Sequence, residues 1–465
     1  ISTMNTDTIA AIATALSDSG IGIVRISGSE AVEKADLLYK SKNGKFHLKD
    51  AESHTIHYGY VTDEEGNILD EVMVSVMLAP KSYTTEDTVE INCHGGVLMM
   101  QRILERVLRT GVRMAEPGEF TKRAFLNGRM DLSEAEAVMD VIHAQNELAL
   151  KSSVSQLKGA VSNKIKEMRS EVIYEIAFIE SALDDPEHIS LEGYPERLSE
   201  KIEELLKETD KLISSSKDGK FLKEGIKTVI LGKPNAGKSS FLNVLSGEEK
   251  AIVTDIAGTT RDVLEEQIRL DGIALNVIDT AGIRKTEDTV EKIGVEKAKK
   301  YAGEADLLLY MVDSSVPFDG NDEEIRDILR DRKAILLMNK SDLSQVITEE
   351  DIRNFLQGIE IPIVKISAKE ASGIEEFKKL IKDMFFEGKI SFENEIYITN
   401  LRHKEALQQA KESFLMVKKS LEDDMPEDFY SIDLMNAYIS LGNIIGEEVS
   451  DDLVDEIFSK FCMGK

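Results

Sequence analysis

The sequence predicts a multidomain chain of α/β and α character, with an N-terminal α+β domain over residues 1–126 and a discontinuous helical bundle split between 127–224 and 389–465. A doubly wound α/β module over 225–388 is expected to be inserted into that bundle. Three observations lead there. A chain of 465 residues is too long for one hydrophobic core. Short apolar runs punctuated by turn residues give way at Ser133 to a hydrophobic period of about 3.6. Beyond Gly225, continuous apolar runs alternate with helical patterns, as in a parallel sheet covered on both faces.

In the first part "IGIVRIS", "HTIHYGYV", "EVMVSVML" and "TVEINC" read as strands and "VLMMQRILERVLR" as a helix. Ser133 and Glu136 read as a capping box. After it, Val154, Leu157, Val161, Ile165, Met168, Val172, Ile176, Ile179 and Leu183 recur at steps of three and four, and no proline intervenes before Pro186. One long amphipathic helix follows, and its stripe needs partners. "ERLSEKIEELLKETDKLI" offers one, and "LRHKEALQQAKESFLMVKKSL" and "DFYSIDLMNAYISLGNIIG" offer others late in the chain. In the module, "IKTVILG", "LLLYMVD", "KAILLMNK" and "IPIVKIS" read as buried strands, and Asp271-Gly272 as a hairpin turn.

The composition, 42% hydrophobic and 31% charged, is that of soluble globular domains. A net charge of −29 argues against wrapping nucleic acid over the whole surface, so any such contact must be a local patch. No apolar run approaches the ~20 residues that span a bilayer, and the opening stretch has no basic n-region, so a cytoplasmic location without membrane contact is expected. Cys93 and Cys462 are too few for a disulfide framework.

"GKPNAGKS", residues 232–239, fits G-x-x-x-x-G-K-[ST] and lies between a strand and a helix. Backbone N–H groups from Asn235, Ala236 and Gly237 through Ser239 and Ser240 would cradle phosphates, Lys238 would offset their charge, and Ser239 would ligate Mg²⁺. "DTAG" (Asp279, Thr280, Ala281, Gly282) ends another strand and reaches the same ion. "NKSD" supplies Asn339, Lys340 and Asp342, and "SAK" supplies Ser367, Ala368 and Lys369. A carboxylate at Asp342 accepts two hydrogen bonds from guanine N1 and N2, which adenine cannot donate. The motif order is that of a Ras-like P-loop GTPase. Ile283 stands where a Ras-like enzyme has its water-positioning glutamine, so either hydrolysis is slow or another polar residue acts there, and the residues alone do not choose among Glu287, Asp288 and Glu291.

"GKPNAGKSSFLNVL", "AIVTDIAGTTRDV", "DTAGIRKTEDTVEKIG", "YTTEDTVEINCHGG", "RMAEPGEFTKRAFLNGRMDLSEAEAVMD" and the terminal "FCMGK" closely resemble the tRNA modification GTPase family MnmE, also called TrmE. The likeness covers the whole chain. It implies that the chain, with the flavoprotein MnmG (GidA), installs a carboxymethylaminomethyl or aminomethyl group on C5 of the tRNA wobble uridine. The one-carbon unit would come from 5-formyl- or methylene-tetrahydrofolate, and GTP turnover would drive a conformational change. The resemblance also implies a homodimer. A K⁺ ion would be held by Asn235, Thr254, Ile256 and Thr259, and Thr260 would join Ser239 on Mg²⁺. Glu291 would position the hydrolytic water and Arg284 would arrange that loop. The first domain is implied to be folate-binding-like, and the family's folate contacts map onto Arg25, Glu90, Arg129 and Lys465; from the residues alone these are four scattered charges.

Cys462 reads either as packing, with Ile457, Phe458 and Phe461 at helical spacing before it, or as a required thiol delivered by a last helix that Gly464 ends. The resemblance favours the thiol. Lys122, Arg123 and Arg129, interleaved with Phe120 and Phe125, form either an RNA-contacting patch or a surface turn. The alternative function is a ribosome-assembly GTPase acting as a binding switch, whose usual KH loop has no counterpart after residue 389.

Overall fold

The computed structural model describes residues 7–233, 235–248, 265–279, 299–386 and 396–465. It divides into two compact units: Ile1–Ile142, Val154–Lys207 and Glu405–Lys465 form one, and His143–Ser153 with Glu208–Lys404 the other. Among the described residues, no helix is long and apolar enough to cross a membrane.

The first unit begins with β1 (Ile9–Ile12), β2 (Ser19–Ser27), α1 (Ala31–Asp36), β3 (Tyr39–Ser41), β4 (Thr55–Thr62), β5 (Ile68–Met77), β6 (Thr88–Gly95), α2 (Val97–Leu108), β7 (Arg113–Met114) and α3 (Glu119–Leu126). The four apolar runs become β2, β4, β5 and β6. The seven-stranded sheet has the order β3-β4-β5-β6-β2-β1-β7. Alternate residues of its strands point to one face. There Val24, Ile26, Val72, Val74, Val89 and Ile91 meet Met100, Ile103 and Val107 of α2 in one buried cluster. The same register sets Arg25 directly opposite Glu90.

Next come α4 (Leu132–His143), α5 (Glu147–Leu157), α6 (Ala160–Asp184) and α7 (Tyr194–Glu224). Two expectations are corrected here. The cap of α4 is Asp131 with Glu134, not Ser133 with Glu136: Asp131 Oδ1 accepts from Glu134 N at 3.0 Å and Glu134 Oε2 accepts from Asp131 N at 3.0 Å. The aspartate caps as well as serine does, and Ser133 is buried inside the helix with its hydroxyl donating to Asp131. The expected single helix is broken before Ala160, because Gly159 takes φ +92°, a conformation that a side chain resists. Beyond the break the stripe packs as its period requires from Val161 through Ile165, Met168, Val172 and Ile176 to Ile179, all buried, but its expected last member, Leu183 in the final turn of α6, is exposed.

The second unit carries β8 (Ile226–Leu231), α8 (Lys238–Glu248), β9 (Glu265–Leu270), β10 (Ile273–Asp279), β11 (Leu307–Asp313), α9 (Gly320–Ile328), β12 (Ala334–Asn339), α10 (Glu349–Leu356), β13 (Ile363–Lys365) and α11 (Ile374–Phe386). Its six-stranded sheet has the order β13-β12-β11-β8-β10-β9. All neighbours are parallel except β9, the outer arm of the hairpin that turns at Asp271 and Gly272. Apolar clusters cover both faces, which is why β11 and β12 are buried at every position. The chain closes with α12 (Leu401–Glu422), α13 (Glu427–Ile445) and α14 (Asp451–Ser459).

Asp131→Ala should cost about 1 kcal/mol locally by removing the cap. Peptides covering α4 should exchange their amide hydrogens faster by mass spectrometry, with peptides of the second unit unchanged.

Candidate functional site

In the second unit the described parts of the nucleotide motifs all lie at the carboxyl ends of parallel strands, where ligands of open α/β sheets bind. Gly232 follows β8, Asp279 ends β10, Asn339 ends β12 and Ser367 follows β13. The phosphate loop needs residues that accept left-handed backbone: Asn235 has φ +66° and Gly237 φ +100°. A side chain at Gly237 would overlap the Asn339 amide.

Asn339, 1% exposed, joins the elements. Its Nδ2 donates to Ala236 O at 2.8 Å, and its Oδ1 accepts from Ala368 N at 3.1 Å. The glycine-rich loop after β8 and the turn after β13 are thereby tied to one side chain. Asp342 accepts from the buried Ser367 hydroxyl at 2.7 Å, which orients its carboxylate. Lys340 pairs with Asp313. Burial works to raise the Asp313 carboxyl, but Lys340 and the Ser315 hydroxyl bonded to it hold it below the usual range. Lys238 turns back onto the carbonyls of Gly232 and Lys233. Ser239, Ser240 and Lys369 are exposed. Ser239, exposed in the first turn of α8, has the hard oxygen that Mg²⁺ takes. Thr254, Ile256, Thr259, Thr260, Thr280, Ala281, Gly282, Arg284 and Glu291 lie outside the described residues.

One part of this site escaped the sequence reading. Lys233, inside the loop motif, bonds to Asp322 at 2.8 Å and to Asp319 at 3.1 Å. Asp322 is 2% exposed and also accepts from the Tyr310 hydroxyl at 2.7 Å. Burial alone would lower the Lys233 ammonium, yet the two carboxylates raise it. The capping box Asp319–Asp322 of α9 thus doubles as an anchor for the phosphate loop. Its sequence sign, D-x-x-D before a helical pattern, is legible, but its pairing with a lysine 86 residues away is not.

In the first unit the four scattered charges converge. Arg25 Nε donates to Glu90 Oε1 at 2.8 Å, and Arg25 Nη1 donates to Gly464 O at 2.8 Å. Lys465 and Arg129 both lie over the ring of Tyr83, at 5.5 and 5.0 Å from its centroid. Burial lowers the Lys465 ammonium, as does Arg25 beside it, while Glu90 works the other way. A cluster with this excess of positive charge suits an anion that also presents donors to Glu90.

Cys462 follows α14 and is exposed, so a buried packing role for it is corrected. The aromatic residues before it do the packing: Phe458 is 1% and Phe461 8% exposed, in a cluster with Ala124, Met130 and Leu132. Cys93 is the buried cysteine, its thiol pushed up to about 11 mainly by desolvation.

The basic stretch before Arg129 is mostly structural. Phe120 is buried, and Arg123 bonds Asp7, Glu86 and Glu119. Lys122 pairs with Asp455. A patch that stacks bases on Phe120 is therefore ruled out by burial.

The family model described as GTP-binding protein TrmE N-terminus matches residues 8–129, and the model described as MnmE helical domain matches 132–462. The tRNA modification GTPase MnmE of Lachnoclostridium phytofermentans is 59% identical over 462 residues, covering 99% of this chain and 100% of its own. The tRNA modification GTPase MnmE of Clostridioides difficile is 49% identical over 459 residues, covering 99% of each. Among solved structures, the G domain of the T. maritima FeoB iron transporter is 28% identical, covering 34% of this chain and 97% of its own at a TM-score of 0.26.

Asn339→Ala leaves the Ala236 carbonyl and the Ala368 amide without their buried partner, a loss of about 1–3 kcal/mol for each group. Guanine-nucleotide affinity, followed by a fluorescent GDP analogue, should fall by at least about tenfold.

Proposed function

The chain belongs to the MnmE family of tRNA modification GTPases and is a GTP hydrolase, and from that premise we propose that it modifies the wobble uridine together with the flavoprotein MnmG. The product is the 5-carboxymethylaminomethyl or aminomethyl uridine, with the carbon taken from 5-formyl- or methylene-tetrahydrofolate. The observation that carries this reading is the return of the chain's last residues to the Arg25–Glu90 pair, where Arg25 bonds the Gly464 carbonyl and Lys465 enters the cluster. A GTPase module and a folate site on one chain have use for each other if nucleotide turnover times a group transfer.

In this reading Arg25, Arg129 and Lys465 hold the folate carboxylates and Glu90 accepts from the pterin edge. When bound, the folate supplies the one-carbon unit; this chain's part is to orient it and to present the exposed Cys462 thiol beside it. At the nucleotide, Asn235 to Ser240 cradle the phosphates and Asp342 reads guanine. Mg²⁺ would be held by Ser239 and Thr260, and K⁺ by Asn235, Thr254, Ile256 and Thr259, offsetting charge that develops on the phosphates. Glu291 positions water and Arg284 arranges its loop. The chain acts as a cytoplasmic homodimer on tRNA.

Two measurements test it. GTP hydrolysis should run much faster in KCl than in NaCl at equal ionic strength, and equal rates would remove the role of Asn235. In cells lacking this chain, mass spectrometry of wobble nucleosides should show the C5-modified uridines absent. They should return with the wild type and not with Cys462→Ser; return with both would reduce Cys462 to a bystander.

A further inference from the structure

The cations of the folate cluster share a feature that none of the site assignments includes: they surround one aromatic ring. The guanidinium carbon of Arg25 lies 5.5 Å from the Tyr83 centroid, that of Arg129 at 5.0 Å, and Lys465 Nζ at 5.5 Å. Arg25 also lies 5.4 Å from the ring of Phe120, so it is held between two aromatics. Like charges gathered this way repel one another, and the carboxylate bonded within the group is Glu90, on Arg25. Something must compensate without neutralising them.

An aromatic ring does this. Its quadrupole attracts each cation within about 6 Å, yet it carries no net charge and leaves the cations' hydrogen-bond donors to other partners. A carboxylate in the same place would bind the cations more strongly and cancel the charge that an anionic ligand needs. The ring is itself fixed. The Tyr83 hydroxyl shares a hydrogen bond with the fully buried Thr121 hydroxyl at 2.8 Å, and the ring packs against both Phe120 with Ile9 and the cluster of Phe458 and Phe461. Downstream of it the loop is pinned where Asn127 Nδ2 donates to Thr84 O at 2.8 Å.

We propose that Tyr83 is the positioning residue of this site: its ring gathers Arg25, Arg129 and the tail residue Lys465 into one anion-binding cluster and so fixes the tail of the chain. The ring does the work, and its packing against Phe120, Phe458 and Phe461 holds it in place without need of the hydroxyl. This inference rests on the reading of the cluster as a folate site, and its test separates the two.

The full-length protein is titrated calorimetrically with (6S)-5-formyltetrahydrofolate as wild type, Tyr83→Phe, Tyr83→Leu, and with 3,4,5-trifluorophenylalanine at position 83. The fluorinated ring keeps the shape of phenylalanine and removes its cation attraction, so it remains informative if the leucine variant folds poorly. In parallel, amide exchange of the peptide spanning 458–465 is followed without ligand. Tyr83→Phe should bind within about twofold of wild type, and the leucine and trifluorophenylalanine proteins about tenfold more weakly or worse. Their tail amides should exchange faster than in wild type, with Tyr83→Phe unchanged. Wild-type affinity and unchanged tail exchange in the fluorinated variant would overturn the proposal. Should the wild type bind no folate while the exchange contrast holds, the folate reading falls and the positioning role of Tyr83 stands.

Discussion

The constraint on which the first unit depends is the close approach of the segment after α14 to the end of β1. Gly464 makes this possible: it adopts φ +84°, and a side chain there would run into the backbone of Ile12 and Ala13 beside β1. Gly118 makes the second close approach, since a Cβ on it would stand 2.5 Å from the Phe458 carbonyl and 2.8 Å from Phe461 Cβ. Two glycines thus let α14 pack directly on α3 and the tail lie against the end of β1. Burial of Phe458 and Phe461 supplies the driving force, at about 1.5–3 kcal/mol for each large apolar side chain fully removed from water.

Beneath that contact runs a network of charges. Asp7 bonds Arg113 and Arg123, Glu119 bonds both arginines, and Arg123 reaches Glu86. The Glu119 carboxyl is pushed up by burial, yet Arg113 and the Glu116 amide bonded to it hold it below its ordinary range. Such a network adds little net stability, because desolvation offsets much of the attraction. What it contributes is geometry: it ties Arg113 of β7 and Glu119 and Arg123 of α3 to Asp7, just ahead of β1. That arrangement places Phe120 and Thr121 where they meet Arg25 and Tyr83.

The second unit solves a different problem. Its parallel strands end together, so loops far apart in sequence meet at one end of the sheet. Asn339 then turns proximity into geometry, since its amide can donate to one loop and accept from another at once. The pairing of Lys233 with Asp319 and Asp322 at the start of α9 also braces the same loop.

Patterns that rest on local periodicity and local backbone chemistry were determined by the sequence alone. Short apolar runs between turn residues marked β2, β4, β5 and β6, continuous apolar runs marked β8, β11 and β12, and the glycine-rich motif marked the turn from β8 to α8, because each depends on neighbours a few residues away. Local reading failed where two local solutions compete: aspartate against serine for the cap of α4, and an unbroken hydrophobic stripe against one glycine at 159. Only the tertiary structure decided that Arg25, Glu90, Arg129 and Lys465 form one cluster, that Cys462 is exposed while Phe461 is buried, and that Tyr83 stands at the centre. Those facts depend on sheet register and on the docking of a helix from the far end of the chain. Charge and aromaticity carry no period, so spacing cannot show which of them will meet.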